Sequence, residues 1–367
     1  MLYRVNQFVM VDYQLPKVRS RLMNRKTTPW IVAEISGNHN GSYQSALSLI
    51  KSAKDAGADA VKIQTYTPDT ITLPIKTGAF TVSPDHALWG SRTLYDLYQE
   101  AHTPWEWHQG LFEYARELNI TLFSTPFDET AVDFLEALGC PIYKIASLEI
   151  VDIPLINYAA KTQKPLIIST GAATIEEIEY AVDAARESGC KDLTLLICTS
   201  AYPAKPEEAN LKRMKFLEDK FGVRVGLSDH TTGLGTSIAA SVLGASIIEK
   251  HLSQDEDLVG VDARFSMSAS DFANLVQGIH DAVSSLGISE IWQTASEKES
   301  IRLRPSLYIC KDVKEGDLVS YENVKSLRPS GGLPPVEIYK LIGLEFNESL
   351  PIGTPLKYDV LKPPSGN

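Results

Sequence analysis

The chain has 367 residues, enough for a large barrel with a small appendage or for two medium domains. A composition 44% hydrophobic and 22% charged argues for a packed core and against wholesale disorder. A net charge of −11 argues against a general nucleic-acid or anionic-membrane surface, although a few converging lysines could still hold a small anion.

Residues 1–29 stand apart, with Arg4, Lys17, Arg19, Arg21, Arg25 and Lys26 against one acid, Asp12. Their apolar patch Phe8-Val9-Met10-Val11 is too short for a signal-peptide core. They read as an extension or a misassigned start, with Met10 and Met23 as alternative starts and no assigned function. No later apolar run approaches the ~18 residues of a membrane span. Cys140, Cys190, Cys198 and Cys310 form no C-x-x-C pair and read as reduced core residues, which points to a cytoplasmic protein.

From Trp30 to Leu252, short apolar runs alternate with helix-patterned stretches. The strand candidates begin at Trp30, Ala60, Thr121, Ile142, Pro165, Thr194, Val225 and Ile247, and near-continuous apolar runs suit parallel strands buried on both faces. Between Ser42 and Ala56, Ala46, Leu49, Ile50 and Ala53 recur at helical spacing, with Gly57 placed as a stop. Eight such alternations predict a closed (β/α)8 TIM barrel over 30–286, with a doubly wound open sheet as the second choice. The link from about Thr67 to Ile120 holds the aromatic stretch TLYDLYQEAHTPWEWH; a helix is expected over Trp105–Leu118, and the rest reads as a loop or lid. After Leu286 the pattern changes: 287–305 reads as a linker and 306–367 as a small domain of short strands.

The chemistry collects where the strands end. Going round, the ends carry Glu34, Lys62, Thr125, Lys144 with Ser147, Ser169, Ser200, Ser228 with His230, and Glu249 with His251. In a barrel these ends form one face, the face that holds active sites. A lone histidine is more often structural than a ligand, but His230 and His251 end neighbouring strands and together point to a metal with open positions that would polarise a carbonyl. Lys62 and Lys144 admit three readings: a salt-bridged interior; a phosphate and carboxylate clamp completed by Thr125, Ser147, Ser169 and Ser228; or a Schiff-base lysine. Glu34 and Asp262 are the candidate catalytic acids, as a general base or as holders of sugar hydroxyls, and each could equally be a lysine's partner.

AEISGNHNG from Ala33, ADAVKIQTYTPDT from Ala58, STPFD from Ser124, YKIAS-x-E from Tyr143, ISTG from Ile168, CTSAYP from Cys198, GLSDHT from Gly226 and EKH from Glu249 together resemble the sialic acid synthase family. LYDLYQEAHTPWEWH resembles its pseudaminic acid branch more than the N-acetylneuraminate or legionaminic branches, and the likeness runs from about Ile31 to Leu361. The resemblance implies a barrel followed by an antifreeze-like (SAF) domain, with phosphoenolpyruvate held by Lys62, Thr125, Lys144, Ser147, Ser169 and Ser228. It implies manganese or magnesium on His230 and His251, with Glu34, Asp262, Ser200 and Tyr202 toward the substrate. It also implies a domain-swapped homodimer in which Arg328 reaches the partner's sugar pocket. Ser200 stands where N-acetylneuraminate synthases have Asn, Gly37 replaces a more usual Ala, Val259 replaces a Gly, and Arg264 is unusual.

The implied reaction joins phosphoenolpyruvate to 2,4-diacetamido-2,4,6-trideoxy-L-altrose, releasing phosphate by carbon–oxygen cleavage and giving pseudaminic acid. N-acetylneuraminate or legionaminate synthesis is the nearest alternative. A lysine-dependent aldolase and a non-catalytic sugar-binding barrel are alternatives of other classes.

Overall fold

The computed structural model describes residues 28–85, 88–254, 260–291 and 293–364. Most of the basic N-terminal extension, and Val259, lie outside these residues. The chain divides into two compact units, the first ending at Gly287 and the second beginning at Ile288.

The first unit is a closed barrel of eight strands in sequence order: β1 Trp30–Glu34, β2 Ala60–Thr65, β3 Thr121–Pro126, β4 Tyr143–Ile145, β5 Leu166–Ser169, β6 Leu193–Cys198, β7 Arg224–Asp229 and β8 Ile247–His251. All neighbouring pairs are parallel, and β1 closes on β8. Side chains alternate between the barrel interior and the helical layer, which explains why the strand sequences are apolar almost throughout. The helix Tyr43–Asp55 buries Ala46, Leu49, Ile50 and Ala53. Ser42 caps its start, the hydroxyl accepting from the Ser45 amide, and Gly57, at φ +87°, takes the left-handed turn past its end.

The connection from β2 to β3 is more ordered than the loop expected from its sequence. Leu94–Ala101 forms a helix whose first turn is capped by Thr93, its hydroxyl accepting from the Asp96 amide. A second helix, Trp105–Glu117, follows. Aromatic contacts stabilise both: half-buried Trp105 stacks on Phe134 at 4.6 Å, and the rings of buried Tyr66 and half-buried Tyr98 meet edge-on at 5.8 Å. His108 is buried between Thr65, 2.8 Å away, and the Pro104 carbonyl. Burial lowers its pKa to about 4, so its imidazole is neutral.

The second unit pairs strand β9 Ser306–Ile309 with β10 Val324–Leu327, and strand β11 Glu345–Phe346 with β12 Leu361–Lys362. Leu307, Ile309, Val313, Val319, Val324, Leu341, Phe346 and Leu356 make its core. The segment read as a linker contributes the helix Lys298–Arg302 to this unit, where the Arg302 carbonyl accepts from the Ser330 amide at 2.9 Å.

Candidate active site

The C-terminal ends of the strands surround a cavity of about 420 Å3. Strand alternation selects its walls. Lys62 and Gln64 of β2, Lys144 of β4, Ser169 of β5, Ser228 of β7, and Glu249 with His251 of β8 all line it. Cys198 at the end of β6, and Ser147, Tyr202, His230 and Asp262 beyond the strand ends, complete the polar part. One flank is apolar and comes from the long connection: Leu94, Leu97, Tyr98 and Ala101 project from a single helix face, joined by Trp89. The Trp89 indole donates to the Val261 carbonyl at 3.1 Å, which ties this connection to the segment after β8.

A cage of opposite charges forms the cavity floor. Lys62 is ion-paired with Glu34 and donates to the Thr125 hydroxyl at 3.2 Å. Glu249 lies 3.9 Å from the Lys62 ammonium and 3.2 Å from that of Lys144, and accepts from the Ser228 hydroxyl at 3.0 Å. Burial opposes every one of these charges, so pairing decides their state. Burial would raise Glu249, yet Lys144 and Lys62 pull it down to about 2. Burial works against the Lys62 ammonium, but Glu249 and Glu34 outweigh it and hold its pKa above the ordinary lysine range. Lys144 has one such partner and the repulsion of Lys62, so burial prevails and lowers it. The interior-salt-bridge and anion-clamp readings thus describe the same residues.

The histidines meet beside this cage, ring centroids 5.4 Å apart. His230 Nδ1 lies 3.0 Å from the Thr199 carbonyl oxygen, which can only accept; Nδ1 therefore carries a proton, and Nε2 is the ring atom available to a metal. His251 Nδ1 is buried without a hydrogen-bond partner and sits 4.0 Å from Asp262 Oδ2. Burial first, then the charge of Glu34, raises Asp262 to about 7. Phe265 packs edge-on against His251 at 4.9 Å. Among the described residues no group of three or more His, Cys, Asp or Glu is arranged to hold a metal. An orphaned imidazole nitrogen beside an anchored imidazole still fits a divalent ion, with water or substrate oxygens completing its shell.

Not every expected site residue lines the cavity. Glu34 and Thr125 act beneath it, through Lys62. Ser200 lies beside it, 4.0 Å from Cys198 Sγ. Gly171 donates its amide to Ser147 at 3.2 Å, and any β-carbon there would collide with the Ser200 and Ser147 hydroxyls, so close approach requires glycine. Arg328 is exposed in the second unit. Glu249 and Cys198 are among the cavity residues that were not expected at the site. Glu249 was visible at a strand end, and its even spacing from His251 is the signal that places both on one face. Cys198 reads as core from its apolar neighbours, but its thiol faces the cavity 3.7 Å from His230 Nδ1.

The NeuB family pattern matches residues 49–290, and the SAF domain pattern matches 304–362. The chain belongs to the NeuB family. Pseudaminic acid synthase of Helicobacter pylori is 45% identical over 333 residues, covering 90% of this chain and 97% of that one. N,N'-diacetyllegionaminic acid synthase of Legionella pneumophila is 39% identical over 337 residues, covering 90% and 94%. Among solved structures, the N-acetylneuraminic acid synthetase of Leptospira borgpetersenii, in complex with citrate, superposes with a TM-score of 0.66 at 32% identity, covering 75% of this chain and 91% of that chain.

Proposed function

We propose that this protein is a pseudaminic acid synthase, condensing phosphoenolpyruvate with 2,4-diacetamido-2,4,6-trideoxy-L-altrose and water to give pseudaminic acid and phosphate. One observation carries the reading: two buried lysines from β2 and β4 and two imidazoles at the ends of β7 and β8 open into one cavity. An anion and a carbonyl can therefore be held side by side. The similarity to the Helicobacter pylori enzyme directs the choice of sugar. The similarity to the Legionella pneumophila enzyme keeps the legionaminate precursor as a second reading.

In this reading Lys62, Lys144, Thr125, Ser147, Ser169 and Ser228 bind phosphoenolpyruvate. Ser169 Oγ is buried without a hydrogen-bond partner, as a donor awaiting an anion would be. His230 and His251 hold manganese or magnesium, which when bound supplies Lewis-acid polarisation of the sugar aldehyde. Carbon 3 of phosphoenolpyruvate, fixed by the lysines, attacks that aldehyde. Water then adds at carbon 2, and phosphate leaves with its bridging oxygen. Asp262 serves the sugar side, while Glu34 lies beneath the cavity and acts through its pair with Lys62; Asp262, raised to about 7, can hold a proton near neutrality and give it to the forming hydroxyl. Tyr202, its ring 4.5 Å from that of His230, lines the cavity toward the substrate, and Ser200 acts from beside it. A cytoplasmic, domain-swapped homodimer in which a partner chain supplies Arg328 belongs to the same proposal, supported by the family resemblance and by the exposure of Arg328.

The test is phosphate release over a panel of amino sugars, with phosphoenolpyruvate carrying heavy oxygen at the bridging position. The label should leave in phosphate, and the trideoxy diacetamido sugar should give the highest kcat/KM. Label retained in the sugar acid would exclude the mechanism, and a higher kcat/KM for N-acetylmannosamine would exclude the sugar assignment.

A further inference from the structure

Two buried charges beside the histidine pair take no part in the cavity. Asp229 and Lys250 alternate with the cavity-facing residues of β7 and β8 and pair in register, so they face the helical layer. Their side chains are 1% and 0% exposed. The Lys250 ammonium donates to Asp229 Oδ2 at 2.8 Å and to the Thr231 carbonyl at 2.5 Å. Asp229 in turn accepts from the Thr231 amide at 2.9 Å and from Ser237, in the helix Gly235–Val242, at 2.6 Å. A single ammonium, on the residue before His251, therefore grips the residues on both sides of His230.

We propose that the Lys250–Asp229 pair is a positioning device that sets the two imidazoles at the separation a shared divalent cation needs. The inference rests on the two-histidine metal reading above. A buried ion pair gains little stability over apolar packing of the same volume, so stability alone is a weak reason for one here. Direction is a better reason, because an ammonium holds its acceptors at defined distances and angles, and both acceptors flank His230. The His230 ring is already anchored through Nδ1 to Thr199, and its carbonyl accepts from the Ala204 amide at 3.0 Å. The His251 ring has no such anchor at Nδ1, so its placement depends on the packing of Phe265 and on where β8 holds its backbone. Lys250 ties that backbone to the segment carrying His230. A second pair, Arg224–Asp192, joins the start of β7 to the residue before β6 at the opposite end of the barrel, far along both strands from the histidines. It offers a comparison in which an ion pair is lost without touching the site.

The double variant Asp229→Asn/Lys250→Met removes both charges at nearly constant volume; the Asn carbonyl can still accept from the Thr231 amide, and its NH2 can donate to the Ser237 hydroxyl oxygen. The metal-free full chain is titrated with manganese, following free ion by electron paramagnetic resonance, alongside thermal unfolding. The double variant should stay folded and bind manganese about 10- to 100-fold more weakly, the usual cost of losing an outer support. Arg224→Gln/Asp192→Asn should lower Tm without changing manganese affinity. If the first double variant does not fold, Asp229→Asn alone, which leaves Lys250 its Thr231 acceptor, should show a smaller loss of affinity in the same direction. Wild-type manganese affinity in a folded variant lacking the pair, or equal weakening in the Arg224/Asp192 control, overturns the inference. If the wild-type chain binds no divalent ion, the metal reading fails, and the device is judged from the nitrogen resonances of the two imidazoles. Those resonances should shift in the double variant, and unchanged resonances overturn it.

Discussion

Lys144 and Lys250 are both buried amines facing one carboxylate, and burial pulls both below the ordinary lysine range against that carboxylate. Their surroundings differ. Lys144 reaches Glu249 at 3.2 and 3.4 Å, shares it with Lys62, and opens on a cavity. Lys250 is sealed between strand and helix with two close acceptors. Under the proposed function the first arrangement is provisional, with Glu249 neutralising two ammonium groups until the substrate anion takes its place. The second is closed and can only hold. Glu249 and Lys250 are adjacent in sequence, and strand alternation alone sends one to the chemistry and the other to its support.

Removing a member of each pair should separate these roles. The largest effect is expected from Lys144→Met, which leaves the more distant Lys62 as the cation facing Glu249 and deletes one of the two lysines of the proposed anion clamp. Loss of a preorganised charge in a desolvated site should lower kcat/KM by about 10³ in phosphate release. Lys250→Met should instead act on the fold, destabilising the chain by about 3–5 kcal/mol in urea unfolding because Asp229 is left buried and unpaired. A folded Lys250→Met protein unable to bind phosphoenolpyruvate would erase the distinction.

Glu249→Gln sharpens the comparison from the other side. Two ammonium groups then face each other without their shared counter-ion, and the ligand-free protein should lose about 3 kcal/mol. Phosphoenolpyruvate should restore more stability to this variant than to wild type, read as a larger ligand-induced rise in Tm. An equal or smaller rise would mean that Glu249 supports the bound state rather than stands in for the anion.

The smallest effect is in acid. Glu249 has its folded pKa depressed from 4.5 to about 2, so its contribution is complete above the unfolded pKa and is lost as pH falls from about 4.5 toward 2. Wild type should therefore lose stability more steeply than Glu249→Gln across that window in Tm against pH. Parallel curves would place the acid sensitivity in other carboxylates.

Much of this was legible before the fold was known. The eight strands, the adjacency of His230 and His251, and the clustering of Lys62, Lys144 and the hydroxyls at one end all follow from apolar runs and their termini. Three features did not. Leu94–Ala101 reads as a loop because eight residues are too few for their helical spacing to stand out within a long connection, and its helix is held by distant partners, including the Tyr66 ring against Tyr98 at 5.8 Å. Cys198 reads as core because its neighbours in sequence are apolar, whereas its neighbours in space include His230 and Ser147. Ser200 ends up beside the cavity rather than in its lining, 4.0 Å from Cys198 Sγ, a placement that sequence spacing does not reveal.

Local periodicity determined the elements, their order and the end of the barrel where polar side chains gather, because strand and helix repeats are properties of neighbouring residues. Barrel closure decided the rest. Joining β1 to β8 sets Glu34 level with His251 and with Lys62 on its other side, and the β7–β8 register sets Ser228 level with Glu249. Which charge meets which, and therefore which carboxylate stays ionised and which lysine is left to receive an anion, depends on distances between residues remote in sequence. Those distances exist only once the strands are in register, since Coulomb energy and desolvation both depend on the folded geometry.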